Sequence, residues 1–237
     1  MCKKLIYLTS FVLVLGMVLA SAAKGPDPTL VGWWTLDETS GLTAADSSGY
    51  GNDGILIGMT GTEWTAGILD GALGFDGSEQ YVDFGNPKHL QLTGEVTISA
   101  WAKMEPANDG VYMGIAGKMG DTTGANRGFV LVRHSSNVFR LWVVTDGGFN
   151  GASSDVTYND TDWHHLVGVA SNNTGSLYVD GVKQAIEAEG ELQDSGDYAF
   201  ISRQYDDASN SGRFWNGTVD DVRIYYRALS EQEILGL

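Results

Sequence analysis

Polar and apolar residues alternate with a period of two along much of the chain. In Val96–Met104, Val96, Ile98, Ala100 and Ala102 fall on one side, while Thr97, Ser99, Trp101 and Lys103 fall on the other. That spacing predicts a strand with two unlike faces. Similar short runs occur at 31–36, 54–58, 72–76, 80–84, 112–118, 128–134, 138–145, 163–171, 176–180, 182–186, 198–202 and 214–226. They are rich in β-branched and aromatic residues and are separated by Gly, Asp and Asn. Asp180-Gly181 lies between two runs and predicts a two-residue hairpin turn. Asp76-Gly77 predicts another tight turn. A helical signal occurs only near the end: Ser230 with Glu233 three residues later is the pattern of a capping box. A dozen short strands without helical periodicity predict an all-β protein, a two-sheet antiparallel jelly-roll sandwich with one short C-terminal helix.

The first 23 residues follow a different pattern. Lys3 and Lys4 precede an apolar run that closes on Ala20-Ser21-Ala22-Ala23. A basic start, an apolar middle and a small-residue end read as a secretory signal peptide, residues 1–22. The run is also of membrane-anchor length, but its small-residue end favours cleavage, and no other stretch is long enough to span a bilayer. Residues 23–30 read as a linker and 31–237 as one domain. Cleavage would remove Cys2, the only cysteine, so the exported protein would be held by its core without disulfides.

Composition sharpens this picture. The 237 residues include 32 Gly but only 4 Pro, which suits many tight turns rather than a collagen repeat. The formal charge is −16, and loss of Lys3 and Lys4 takes it to −18. Such a chain repels nucleic acid and anionic membranes. Asp outnumbers Glu by 20 to 10. Asp is both the turn-forming acid and a short, hard oxygen ligand for calcium.

Several motifs resemble the LamG-like domains of the concanavalin A-like lectin/glucanase superfamily. They are Trp34–Gly41, Asp46–Gly54, Gly71–Gly77, Val96–Trp101, Trp163–Val167, Leu177–Gly181 and Phe214–Tyr225 followed by Arg227–Ser230. Their order and spacing carry the resemblance over about residues 31–237. The resemblance implies the jelly roll. It also implies a structural calcium tying the N-terminal segment to the last strand, where Asp37 or Glu38 and Asp220 would be the acids. Asp46, Asn52 and Asp76 are further candidate oxygen ligands on glycine-rich turns. Asp46–Ile57 is not an EF-hand, because its twelfth position is Ile57 rather than Glu. The competing reading is that these acids organise turns and pair with Arg223 or Arg227. Asp220 and Asp221 are adjacent, so strand alternation should turn only one of them inward.

Candidate ligand-binding residues are the loop aromatics Tyr50, Trp64, Phe149, Tyr158, Tyr205 and Trp215, with Arg203 in a polar loop that also holds Gln204, Asp206, Asp207 and Asn210. Trp34, Trp101, Trp142 and Trp163 read as core. No catalytic residues are assigned. Glu187, Glu189 and Glu191 alternate, but Gly190 interrupts them and they read as a solvated acidic loop. His164 and His165 are neighbours on a strand and make a poor metal pair, one expected to bond internally and the other to reach solvent. His89 and His134 have no partner nearby in sequence, and no nucleophile elbow is present. The expected function is an exported, non-catalytic module binding a carbohydrate or an extracellular surface component. A protein-interaction or adhesion domain is the alternative, and a glycoside hydrolase or lyase is less favoured.

Overall fold

The structure is a computed structural model that describes residues 27–106, 110–119, 127–145, 148–204 and 213–237. The predicted signal peptide at 1–22, residues 23–26 of the predicted linker and Tyr205 lie outside the described residues, as does the side chain of Phe149.

The strands in chain order are β1 (Leu30–Trp34), β2 (Thr43–Ala44), β3 (Gly54–Ile57), β4 (Trp64–Ala66), β5 (Gly71–Asp76), β6 (Tyr81–Asp83), β7 (Val96–Met104), β8 (Met113–Met119) and β9 (Gly128–Arg133). They continue as β10 (Phe139–Thr145), β11 (Gly148–Ser153), β12 (Trp163–Ser171), β13 (Thr174–Val179), β14 (Val182–Lys183), β15 (Ala188–Glu189), β16 (Ala199–Ile201) and β17 (Asn216–Tyr225), before the helix α1 (Glu231–Ile234). One sheet runs β14-β13-β12-β7-β17-β5-β4, with β1 also on β17 and β15 on β13; the other runs β11-β10-β9-β8-β16-β6-β3-β2. Every pairing is antiparallel. This is the expected sandwich.

Alternation builds the core. Ile98 and Ala100 of β7, Leu141 and Val143 of β10, and Val219 and Val222 of β17 meet between the sheets with Trp34 and Trp215. The predicted hairpin is present: Asp180 and Gly181 both have positive φ (51° and 77°) between β13 and β14, which suits a type I′ turn. The predicted capping box is also present. The Ser230 side chain accepts from the Glu233 N–H, and Glu233 reaches back to the Ser230 N–H. Arg227 then ties the chain ends together, pairing with Asp27 at 2.6 Å and Glu233 at 2.8 Å. The described end of the predicted linker is therefore docked on the body.

The predicted tight turn at Asp76-Gly77 is present too, and it carries the chain across the sandwich, since β5 and β6 belong to different sheets. One expectation needs correction. Asp220 and Asp221 are both buried, at 0% and 3% exposure. They sit where β17 shifts register against β7 and changes its other partner from β5 to β1, and Asp221 has a φ of 45°. The irregularity breaks the alternation that would have turned one acid to solvent.

Candidate functional site

The loop from Gly67 to Gly71 crosses the point where β17 changes partner. Its N–H groups at Ile68 and Leu69 have no strand to pair with and donate instead to Asp220 Oδ2, at 3.0 and 2.9 Å. The Gly71 N–H donates to Asp37 Oδ1 at 2.7 Å. Both glycines are needed for this approach. A Cβ on Gly67 would stand 2.0 Å from the Gly71 carbonyl oxygen and 2.5 Å from Asp220 Oδ2, and one on Gly71 would stand 2.7 Å from the Asp37 Cα. Asp220 Oδ1 is buried with no hydrogen-bond partner. Burial pushes the Asp220 carboxyl up to about 6; the two loop N–H groups oppose that rise and the Asp221 charge adds to it.

In front of this loop lies a hollow of about 420 Å³, lined by Asp37, Glu38, Thr39, Trp64, Thr65, Asp70 and Gly71. Trp64 is held by its indole N–H, which donates to the Gly41 carbonyl at 3.0 Å. Glu38 Oε1 accepts from the Ala45 N–H at 2.8 Å, while its Oε2 is buried without a partner. The hollow thus offers carboxylates, two hydroxyls and one indole ring, and no cationic side chain among the described residues lines it. Among the described residues no group of three or more His, Cys, Asp or Glu side chains is arranged to hold a metal. Calcium also accepts carbonyl and water oxygens. The Asp220 oxygen without a partner, the nearby Asp37 carboxylate and the crowded carbonyls of Leu36 and Gly71 are donors of the right kind.

The other predicted ligands go elsewhere. Asp46 accepts the N–H groups of Trp33, Ser48 and Asn52 and so organises a turn. Asn52 is buried, donating to the Val31 carbonyl while its own carbonyl accepts the Trp34 indole N–H. Asp76 caps its turn through the Ser78 N–H. Asp221 pairs with Arg223 at 2.9 Å and accepts the Trp33 indole N–H.

Of the predicted binding aromatics whose side chains are described, only Trp64 lines this hollow. Tyr50 donates to the Pro28 carbonyl and packs on His89. Tyr158 packs against Phe139 and His164. Arg203 lies over the Tyr81 ring at 4.5 Å. Trp215 is not on the surface: it is fully buried in the core. Glu187 pairs with Lys183 at 2.9 Å and accepts from Ser176. His165 bonds Ser99 internally at 2.8 Å. His164, expected in solvent, is instead bracketed by Asp160 and Asp180 at 2.9 and 2.8 Å. His134, which lacked a partner in sequence, packs edge-on against Tyr112 and Trp142. Trp142 is only half-buried, on the outer face of the eight-stranded sheet rather than in the main core.

The profile of the laminin G-like family, described as the Concanavalin A-like lectin/glucanases superfamily, matches residues 76–235. Comparison with curated proteins gives no match. Among solved structures the chain is similar to domain 4 of an extracellular arabinanase from Geobacillus stearothermophilus, determined in complex with arabinotriose. The TM-score is 0.68 at 16% identity, covering 88% of this chain and 97% of that one. It is also similar to the binding domain of Paraclostridial Mosquitocidal Protein 1, with a TM-score of 0.66 at 14% identity and coverage of 88% and 51%. A Trypanosoma rangeli sialidase gives a TM-score of 0.63 at 16% identity; 89% of this chain spans 32% of that one. At these identities the likeness is one of fold.

Proposed function

Since the chain belongs to the concanavalin A-like lectin/glucanase superfamily, we propose that it is an exported, non-catalytic binding module whose rim hollow takes a neutral, hydroxyl-rich saccharide. The observation that carries this reading is the lining of that hollow. Trp64 stands beside three carboxylates and two threonines, so sugar hydroxyls find acceptors and a sugar ring finds an indole. The lack of a cationic lining residue among the described residues disfavours an anionic ligand there. The similarity to an arabinanase domain solved with arabinotriose makes that trisaccharide a first probe. Export rests on the apolar leader at 1–22.

The reading includes a structural calcium held by Asp220 and Asp37 with loop carbonyls. Calcium there would supply positive charge to a carboxylate that burial leaves uncompensated. Asp220 itself fastens the Gly67–Gly71 loop to β17, and Asp37 fastens the same loop to the segment after β1. Together they set the back wall of the hollow.

Titration calorimetry with neutral oligosaccharides, arabinotriose included, tests the binding site in calcium and in EDTA. Trp64→Ala should weaken binding by about tenfold or more, as loss of a central aromatic contact usually does. If no neutral sugar saturates the protein in either buffer, the saccharide reading fails and a protein-interaction role takes its place. Melting temperature tests the metal. Calcium should raise it for wild type and not for Asp220→Asn. In EDTA at pH 7 the variant should equal or exceed wild type by up to about 3 kcal/mol, because it removes a buried charge yet keeps an oxygen for the two loop N–H groups. Equal melting of wild type in calcium and EDTA removes the metal from the reading.

A further inference from the structure

The outer face of the eight-stranded sheet has chemistry opposite to that of the rim hollow. Along β10, Phe139, Leu141 and Val143 point into the core, so Arg140, Trp142 and Val144 point away from it. Trp142 lies opposite Val130 of β9 and Gly151 of β11. A Cβ on Gly151 would stand 2.9 Å from the indole, so this glycine lets the ring lie across the strand. The Trp142 indole N–H donates to the Tyr112 hydroxyl, which therefore keeps its own proton to give. The His134 ring stands 5.3 Å from Tyr112 and 6.4 Å from Trp142. Its Nδ1 accepts the Ser136 N–H, which places the ring proton on Nε2.

Two cations complete the group. The Arg140 guanidinium lies 5.2 Å from the centre of the Trp142 ring, and that of Arg213 lies 4.3 Å from the Tyr112 ring. Burial holds the His134 imidazole below its usual range, and the charges of Arg140 and Arg213 lower it further. Arg140 makes no ion pair and no hydrogen bond with any described residue, and its Nε is buried without a partner. In a chain with 30 acidic residues, a half-buried arginine beside aromatic rings, with no carboxylate against it among the described residues, is a binding feature rather than a solubility feature.

From this arrangement we infer a second binding site on the outer face of the β8–β10 strands, for a saccharide that carries carboxylate or sulfate groups. Arg140, the Nε2–H of His134 and the Tyr112 hydroxyl donate to the anionic group, while the flanks of Trp142 and Tyr112 take the apolar side of the sugar ring. Long nucleic acids are disfavoured by the net charge of −16, although their phosphates would suit the same donors. The site is independent of the rim reading and can stand if that reading fails.

Indole fluorescence and calorimetry on the purified protein, with three oligosaccharides, test it. Oligogalacturonate supplies carboxylates, a heparin fragment supplies sulfates and maltohexaose is the neutral comparison. At least one anionic arm should saturate, and its affinity should fall as salt rises. Arg140→Gln should weaken that arm about tenfold, as loss of a charge-assisted bond does, and Arg140→Lys should restore part of it. Asp37→Asn, at the rim, should lower only neutral-sugar binding. The inference is overturned if neither anionic arm saturates, if folded Arg140→Gln binds as wild type does, or if single-stranded DNA competes as well as the sugars.

Discussion

His164 and His165 occupy successive positions on β12, yet their environments push them in opposite directions. Burial, with the ring stacked on Trp101, holds His165 down to about 4; the Arg223 charge lowers it further, and the charges of Asp221 and Asp180 oppose this. His164 is also desolvated, but Asp180 and Asp160 more than offset that and hold it above its usual value. The signs follow from linkage. A base with a lowered folded pKa contributes stability that is present above about 6.5 and is lost as pH falls toward 4, roughly 3 kcal/mol at most for His165. A base with a raised folded pKa contributes stability that is present below about 6.5 and is lost as pH rises past its folded value. Urea unfolding between pH 4.5 and 8 should therefore give His165→Gln a flatter limb below about 6.5 than wild type, while His164→Asn should lose the fall in stability that wild type shows as pH rises above about 6.5. Parallel curves for the three proteins would sink this account. Alternation showed that the two rings face opposite ways, but it could not show that two aspartates wait for one of them. Asp160 and Asp180 come from a loop and a hairpin that only the fold brings together. Arg140 and Trp142 were more legible, because they alternate with Phe139, Leu141 and Val143. Reading every Trp in an apolar run as core concealed a stripe that the period of two already marked.

At the scale of elements, local signals carried well wherever one segment decides its own conformation. The Asp180-Gly181 hairpin and the Ser230 capping box were both readable, since each rests on a few adjacent residues. The irregularity at Asp220 was not readable, because it arises from β17 exchanging β5 for β1, and those partners lie far away in the chain. For the same reason the Gly67–Gly71 loop could not be connected to Asp220 by spacing, although the resemblance did connect Asp220 to the N-terminal segment. The helix α1 has only four residues and depends on its cap and on Ile234, which packs over Val167, Val169 and Tyr178 on the outside of the nine-stranded sheet. Ser230→Ala removes the hydroxyl that accepts the Glu233 N–H and also loosens Glu233, a partner of Arg227. It should cost about 1 kcal/mol, the usual value of such a cap. Chemical denaturation measures this, and an unchanged midpoint would mean that packing alone holds the helix.

For the whole molecule, glycine-rich turns and a dozen apolar runs gave the sandwich, but not which strand joins which sheet. Strands adjacent in sequence, such as β5 and β6, part company, while β17 sits between β7 on one side and β5 and β1 on the other. The last strand is thus central to the nine-stranded sheet, and the sheet is incomplete until nearly all of the chain is present. A chain ending at Trp215 lacks β17. It exposes the seat of Val219, Val222 and Ile224, all buried in the core. At about 1.5–3 kcal/mol for each buried aliphatic side chain, that loss is about 5–9 kcal/mol. A domain is typically stable by only about 5–15 kcal/mol, and the unpaired edges of β7, β5 and β1 add to the deficit. The truncated chain should therefore show no cooperative unfolding and little near-ultraviolet dichroism. A chain ending at Leu229 keeps β17, loses only α1, and should still unfold cooperatively at a lower denaturant midpoint. If the chain ending at Trp215 unfolds as a single sharp transition, the central role of β17 is wrong and the remaining strands form a self-sufficient core. Pairings such as β1 with β17, which join nearly opposite ends of the chain, also place folding in the slow range of milliseconds to seconds typical of all-β domains. Addition of a peptide spanning 214–229 to the chain ending at Trp215 separates the two causes. Recovery of the dichroism would show that the missing strand, and not a slow step, is what the truncated chain lacks.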